Sequence, residues 1–138
     1  MGIPSYFYKI SNQYKNVITP NIPNCDRLFL DYNGIIHTCC HTLRAEVSVD
    51  LPVDEFETQL MHRVLKYTDH IFKKTLPKVE AHICIDGVAP IPKIKQQRKR
   101  RYTSSFIKSQ LTDGLYEWDT NAISPGTKFM KRLDTFLK

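Results

Sequence analysis

Two short apolar runs, each ending in an aspartate and separated by a long helical period, constrain this chain more than any other feature. RLFLD ends at Asp31 and AHICID at Asp86. Between them, residues 52–76 carry Phe56, Leu60, Val64, Tyr67 and Ile71 as one stripe, widened by Met61, Leu65 and Phe72. That spacing is the period of an amphipathic helix. Asp54, Glu55 and Glu57 in its first turn and Lys73 and Lys74 in its last suit the helix dipole, and Pro77 stops it. Short apolar runs of this kind read as buried strands. Strands joined by a long helical crossover are parallel, so the predicted class is α/β, a parallel sheet flanked by helices.

The remaining elements fit around that unit. Pro4 suits a first helical position, and Phe7, Ile10 and Tyr14 recur at helical spacing, which predicts a short helix at the start. NGIIHTCC leaves the first strand through a glycine and opens a helix. A further helix is expected over residues 93–111, followed by a turn at Asp113 and Gly114. Ser124 and Pro125 read as N-cap and first position of a last helix carrying Phe129, Leu133 and Phe136. With 138 residues, 41% hydrophobic and 25% charged, the chain is expected to form one domain with a real core, spanning 1–138.

No apolar run approaches the roughly 18 residues a membrane span needs, no secretory h-region follows Met1, and Tyr6 stands where a myristoylation motif wants Ser or Thr. The chain is expected to be intracellular, in cytoplasm or nucleus, without a membrane partner. Cys25, Cys39, Cys40 and Cys84 then read as reduced thiols. His37, Cys39, Cys40 and His41 cluster closely enough to raise zinc, but without a CxxC or an HxxxH-plus-Glu arrangement. Thiols packed in a core are the alternative.

Charge is unevenly spread. Residues 1–87 hold nine Lys/Arg against ten Asp/Glu, a balance of −1, whereas residues 88–138 hold eleven against four, a balance of +7. All the excess is centred on KIKQQRKRR, which points to an anionic partner, with nucleic acid first. On a helix, Lys93, Gln97, Arg100 and Arg101 fall within an arc of roughly 100°. An ammonium, an amide and two guanidinium forks on one face suit a terminal phosphate. A nuclear-localisation signal or a solvated basic face would show the same composition.

Asp31 in DYNG and Asp86 in DG both close a predicted strand. In open parallel sheets, sites gather beyond the carboxyl ends of strands, where two neighbouring carboxylates invite a shared hard cation such as Mg²⁺. Alternatively, each aspartate simply caps the turn or helix that follows.

MGIPSYFYKIS, LFLDYNGIIHTC, ICIDGVAPIPKIKQQRKRR and WDTNAISPGTKFMKRL, in that order and across nearly the whole chain, resemble the blocks of XRN-type 5′→3′ exoribonucleases. The resemblance implies the amino-terminal portion of a PIN-like, flap-nuclease-like core. It implies Asp31 and Asp86 as catalytic, metal-binding carboxylates, with Mg²⁺ or Mn²⁺ as cofactor. It further implies Lys93, Gln97, Arg100 and Arg101 as a 5′-phosphate pocket, and His37 as a residue stacking on a terminal base. The expected partner is single-stranded RNA with a 5′-monophosphate, hydrolysed to nucleoside 5′-monophosphates. The family's other metal-binding acids lie beyond residue 138, so a fragment, a split product completed by a separate carboxyl-terminal chain, or a truncated relative is expected. A flap endonuclease and a catalytically incomplete RNA-end-binding module are the competing readings.

Overall fold

The structure is a computed structural model that describes residues 3–20, 24–48, 50–111 and 118–138. In chain order its elements are α1 (Tyr6–Gln13), β1 (Arg27–Asp31), α2 (Tyr32–Glu46), α3 (Val53–Thr75), β2 (Glu80–Cys84), α4 (Ile91–Leu111) and α5 (Lys128–Leu137), with short 3-10 turns at Lys15–Val17 and Thr120–Ala122. Strands β1 and β2 pair in parallel from Arg27↔Glu80 to Asp31↔Cys84. Two helices, α2 and α3, make the crossover, so the α/β architecture expected from the alternation of periods is the one found. Among the described residues, no helix is long and apolar enough to cross a membrane.

The core lies where α2, α3 and α5 meet under the inward face of β1. Ile36, Cys39, Cys40 and Leu43 supply the buried stripe of α2, Phe56, Leu60, Met61 and Val64 that of α3, and Phe129, Met130 and Leu133 that of α5. Each large apolar side chain taken fully from water contributes about 1.5–3 kcal/mol, so these three stripes carry most of the folding drive. Cys39 and Cys40 belong to this core, which accounts for the cysteine pair as packing.

Several expectations need correction. The α3 stripe does not run on through Tyr67, which is 43% exposed, and Leu65 does not widen it, being 45% exposed. It follows steps of four instead, and Thr68 takes the buried place. Its hydroxyl donates to the Val64 carbonyl at 2.8 Å and meets the Tyr32 hydroxyl at 3.0 Å. A buried tyrosine needs such a partner, and no apolar residue at 68 could supply it. Glu57 does not serve the helix dipole but is buried.

The strands are also less buried than their composition suggests. Leu28 and Leu30 point inward, but Phe29 is 64% exposed and stacks on His82 across the pair at 4.7 Å, while every residue of β2 is exposed. Only one face of this two-stranded sheet is covered by the described helices, whereas an apolar run implies two covered faces. The strand ends shift as well: Asp31 is the last residue of β1, but β2 stops at Cys84, two residues before Asp86.

At the chain ends the helices start later than the prolines imply. Helix α1 begins at Tyr6, after a left-handed Ser5, and buries none of its residues. Helix α5 begins at Lys128, not at Pro125. Gly126 adopts φ +82°, which breaks any helix started at Ser124, and Thr127 caps instead, its hydroxyl accepting from Met130 N–H at 3.3 Å. The turn expected at Asp113 and Gly114 lies outside the described residues.

Candidate active site at the carboxyl edge of the sheet

A cleft of about 370 Å³ opens at the carboxyl ends of β1 and β2. One wall is the start of α2, contributing Asp31, Asn33, Gly34 and His37. The loop leaving β2 adds Asp86 to Ala89, α4 adds Ile94, Gln97, Arg100 and Arg101, and the segment before α5 closes the far side with Ile123 and Pro125. Six of the seven residues singled out in the sequence thus line one cavity: Asp31, His37, Asp86, Gln97, Arg100 and Arg101.

Lys93 is the exception. It lines the adjoining cavity of about 660 Å³ together with Gln97 and Arg100, which border both. Axial distance is not the reason, because the next residue, Ile94, lines the cleft. Lys93 stands instead on the side of α4 that borders the adjoining cavity, with Gln96, Lys99 and Thr103. Lys93, Ile94, Gln97 and Arg101 are half-buried, whereas Lys95, Arg98, Lys99 and Arg100 are exposed, so α4 turns Lys93, Gln97 and Arg101 of the predicted face inward and leaves Arg100 open to solvent.

The two aspartates are not explained as caps. Asp31 occupies the N-cap position of α2, yet its side chain makes no capping hydrogen bond. Asp86 enters the described hydrogen bonds through its backbone N–H, which donates to Asn33 Oδ1 at 3.0 Å. Among the described residues, no ion pair uses Asp31, Asp86, Lys93, Arg100 or Arg101, although cations and carboxylates share one cavity. Two hard carboxylate donors with neither cap nor counter-ion among the described residues fit Mg²⁺ or Mn²⁺. No group of three or more His, Cys, Asp or Glu comes together among the described residues, which therefore offer at most part of a metal shell there. Glu117 lies outside the described residues. Asp119 is committed elsewhere, accepting from Asn121 N–H at 2.9 Å.

His37 projects from the second turn of α2 and is half-buried. Burial holds its imidazole below the ordinary 6.5, and the neighbouring His41 and the Arg100 guanidinium push it the same way. Near neutral pH the ring is therefore uncharged, which suits an aromatic face.

The wall formed by Ile123 and Pro125 is held from behind. Trp118 Nε1 donates to Glu57 Oε1 at 3.1 Å, Arg132 donates to Glu57 Oε2 at 2.5 Å and to Asp54 at 3.0 Å, and Arg44 donates to the Trp118 carbonyl. Sequence reasoning passed over Asn33, Ile123 and Pro125 as site residues. Asn33 had a signal, a polar residue two places after a strand-ending aspartate. The other two had none, because a loop's route across the molecule is not periodic.

The family described as XRN 5′-3′ exonuclease N-terminus matches residues 1–138. The 5′-3′ exoribonuclease 2 of Schizosaccharomyces pombe is 34% identical over all of this chain, and the human 5′-3′ exoribonuclease 1 is 36% identical, again over all of it. The Saccharomyces cerevisiae 5′-3′ exoribonuclease 1 is 34% identical over 96% of the chain. The chain spans 18% of the first of these relatives and 9% of the other two. Family match, full-length similarity and an α/β fold with its cleft at the strand ends agree: this chain belongs to the XRN 5′-3′ exonuclease family, as its amino-terminal region.

Proposed function

We propose that the cleft receives the 5′-monophosphate end of a single-stranded RNA and contributes to its 5′→3′ exonucleolytic hydrolysis with Mg²⁺ or Mn²⁺. The observation that carries this is the meeting, in one cavity, of Gln97, Arg100 and Arg101 with two carboxylates that have no cap or ion pair among the described residues. Arg100 and Arg101 offer bidentate donors to a terminal phosphate, Gln97 an orienting hydrogen bond, and Lys93 a point charge from the adjoining cavity. Neutral His37 offers a face for the terminal base. Asp31 and Asp86 would hold part of the metal shell. When bound, the metal supplies an activated water and offsets charge on the attacked phosphate.

Water then adds to the first internal phosphorus and the P–O3′ bond breaks. The terminal residue leaves as a nucleoside 5′-monophosphate with a free 3′-hydroxyl. The phosphate stays on the next nucleotide, so each step regenerates the end that the basic face recognises.

A second reading has its own observation. Only two carboxylates gather in the cleft among the described residues, so the chain by itself would be an RNA 5′-end-binding module whose metal site is completed by further residues or a separate chain. Both readings require phosphate recognition, which Arg101→Ala tests directly. Charge-assisted hydrogen bonds contribute about 1.5–3 kcal/mol, so binding of 5′-monophosphorylated RNA should weaken roughly 10- to 100-fold. Binding of 5′-hydroxyl RNA should change little. Equal losses for both ends would reduce α4 to a general electrostatic surface.

A further inference from the structure

The last rung of the parallel pair joins Asp31 to Cys84. Two residues further along each chain stand Asn33, already in the first turn of α2, and Asp86, in the irregular loop leaving β2. The Asp86 N–H donates to Asn33 Oδ1 at 3.0 Å across 53 positions of sequence. This bond continues the ladder one step beyond the strands, with an amide side chain standing in for a carbonyl that the helix has turned away. Asn33 is 8% exposed, so its orientation is fixed by packing. The loop it grips carries one of the two carboxylates of the cleft and leads into the basic face of α4.

We infer that Asn33 is a positioning residue of this site, its Oδ1 holding the Asp86 backbone so that the Asp86 and Asp31 carboxylates converge on one cation. The inference rests on the metal reading above and adds a residue to it. Asn33 acts through the backbone it holds. What matters is the acceptor: Asn33→Asp keeps an oxygen in the same place, Asn33→Ala removes it, and Asn33→Leu removes it while preserving bulk.

The test is Mn²⁺ binding to the purified 138-residue chain by electron paramagnetic resonance, alongside hydrogen exchange at the Asp86 amide and thermal melting. Partners that orient a metal's ligands are worth roughly 10- to 100-fold in affinity. N33A and N33L should weaken Mn²⁺ binding by that order and speed exchange at the Asp86 amide. N33D should keep the amide protected and the affinity within about threefold of the native chain or tighter, because it restores the acceptor and adds negative charge. If N33A destabilises the fold, N33L and N33D decide the matter.

Native-like Mn²⁺ affinity in N33L, with Asp86→Asn still impaired, would overturn the inference and leave the metal reading standing. Equal loss in N33D and N33L would overturn it too, since the acceptor would not be what matters. A native chain that binds no Mn²⁺ would overturn the metal reading, and this inference with it.

Discussion

The most exposed point of the fold to attack is a buried acid, Glu57, because three separate parts of the molecule meet on it. Its Oε1 accepts from Trp118 Nε1 at 3.1 Å and its Oε2 from Arg132 at 2.5 Å, tying α3 to α5 and to the segment that walls the cleft. Glu57→Ala strands a buried indole N–H, at about 1–3 kcal/mol. The lost ion pair adds only about 0.5–1 kcal/mol, because Arg132 is 41% exposed and water replaces its partner. The emptied space adds roughly another 1 kcal/mol. The sum is about 2.5–5 kcal/mol. For a chain of this length, an unfolding entropy of about 2.1 cal/mol/K per residue makes each kcal/mol worth roughly 3–4 °C. Glu57→Ala should therefore lower Tm by roughly 9–17 °C, and Glu57→Gln, which keeps an acceptor for the indole, by about 3–4 °C. Trp118 is the single tryptophan, so its fluorescence reports the contact directly during the melt. A Glu57→Ala chain melting within about 2 °C of the native one, or equal effects of Ala and Gln, would refute the reasoning.

Two further outcomes follow from the site. His37 should titrate below 6.5 by NMR, and Arg100→Ala should move its midpoint upward by removing a neighbouring cation. Because the folded pKa is the lower one, the unfolded chain binds more protons as pH falls through 6.5, so His37 makes the fold lose stability on acidification through that window; an unshifted His37 would contradict its placement. The isolated chain should bind RNA in a strongly salt-dependent way but release no sustained series of mononucleotides with Mg²⁺, since two carboxylates do not complete an octahedral shell. Sustained release, abolished by Asp31→Ala, would show that the shell is complete within these 138 residues.

The sequence was legible where a period or a charge repeated. The long stripe of α3, the two aspartate-terminated runs and the basic face of α4 are local patterns, and each maps onto an element. Illegible were the places where a tertiary contact overrode the local pattern. Thr68 replaced Tyr67 in the buried stripe because Tyr32 needed a hydroxyl partner, and Glu57 left the helix-dipole role for a buried network. Lys93 fell outside the cleft because the predicted face of α4 borders two cavities, and Lys93 lies on the side of the second. Asn33 was read only as part of the segment that leaves the first strand and opens a helix, since its partner lies 53 positions away. The exposure of β2 could not be read at all, because a short apolar strand looks the same whether one face or two are covered.

The central claim is that one cleft holds both a metal and a 5′-phosphate, and it is tested most directly by mapping the two ligands on the same chain by NMR. Mn²⁺ should broaden the amides around Asp31 and Asp86, and a short 5′-monophosphorylated oligoribonucleotide should shift those of Gln97, Arg100, Arg101 and His37. Asp31→Ala combined with Asp86→Ala should abolish the broadening and leave the shifts. Arg100→Ala combined with Arg101→Ala should do the reverse. Broadening centred elsewhere, on an exposed acid such as Asp69 or Asp134, or oligonucleotide shifts spread evenly over the basic carboxyl-terminal third, would contradict the account.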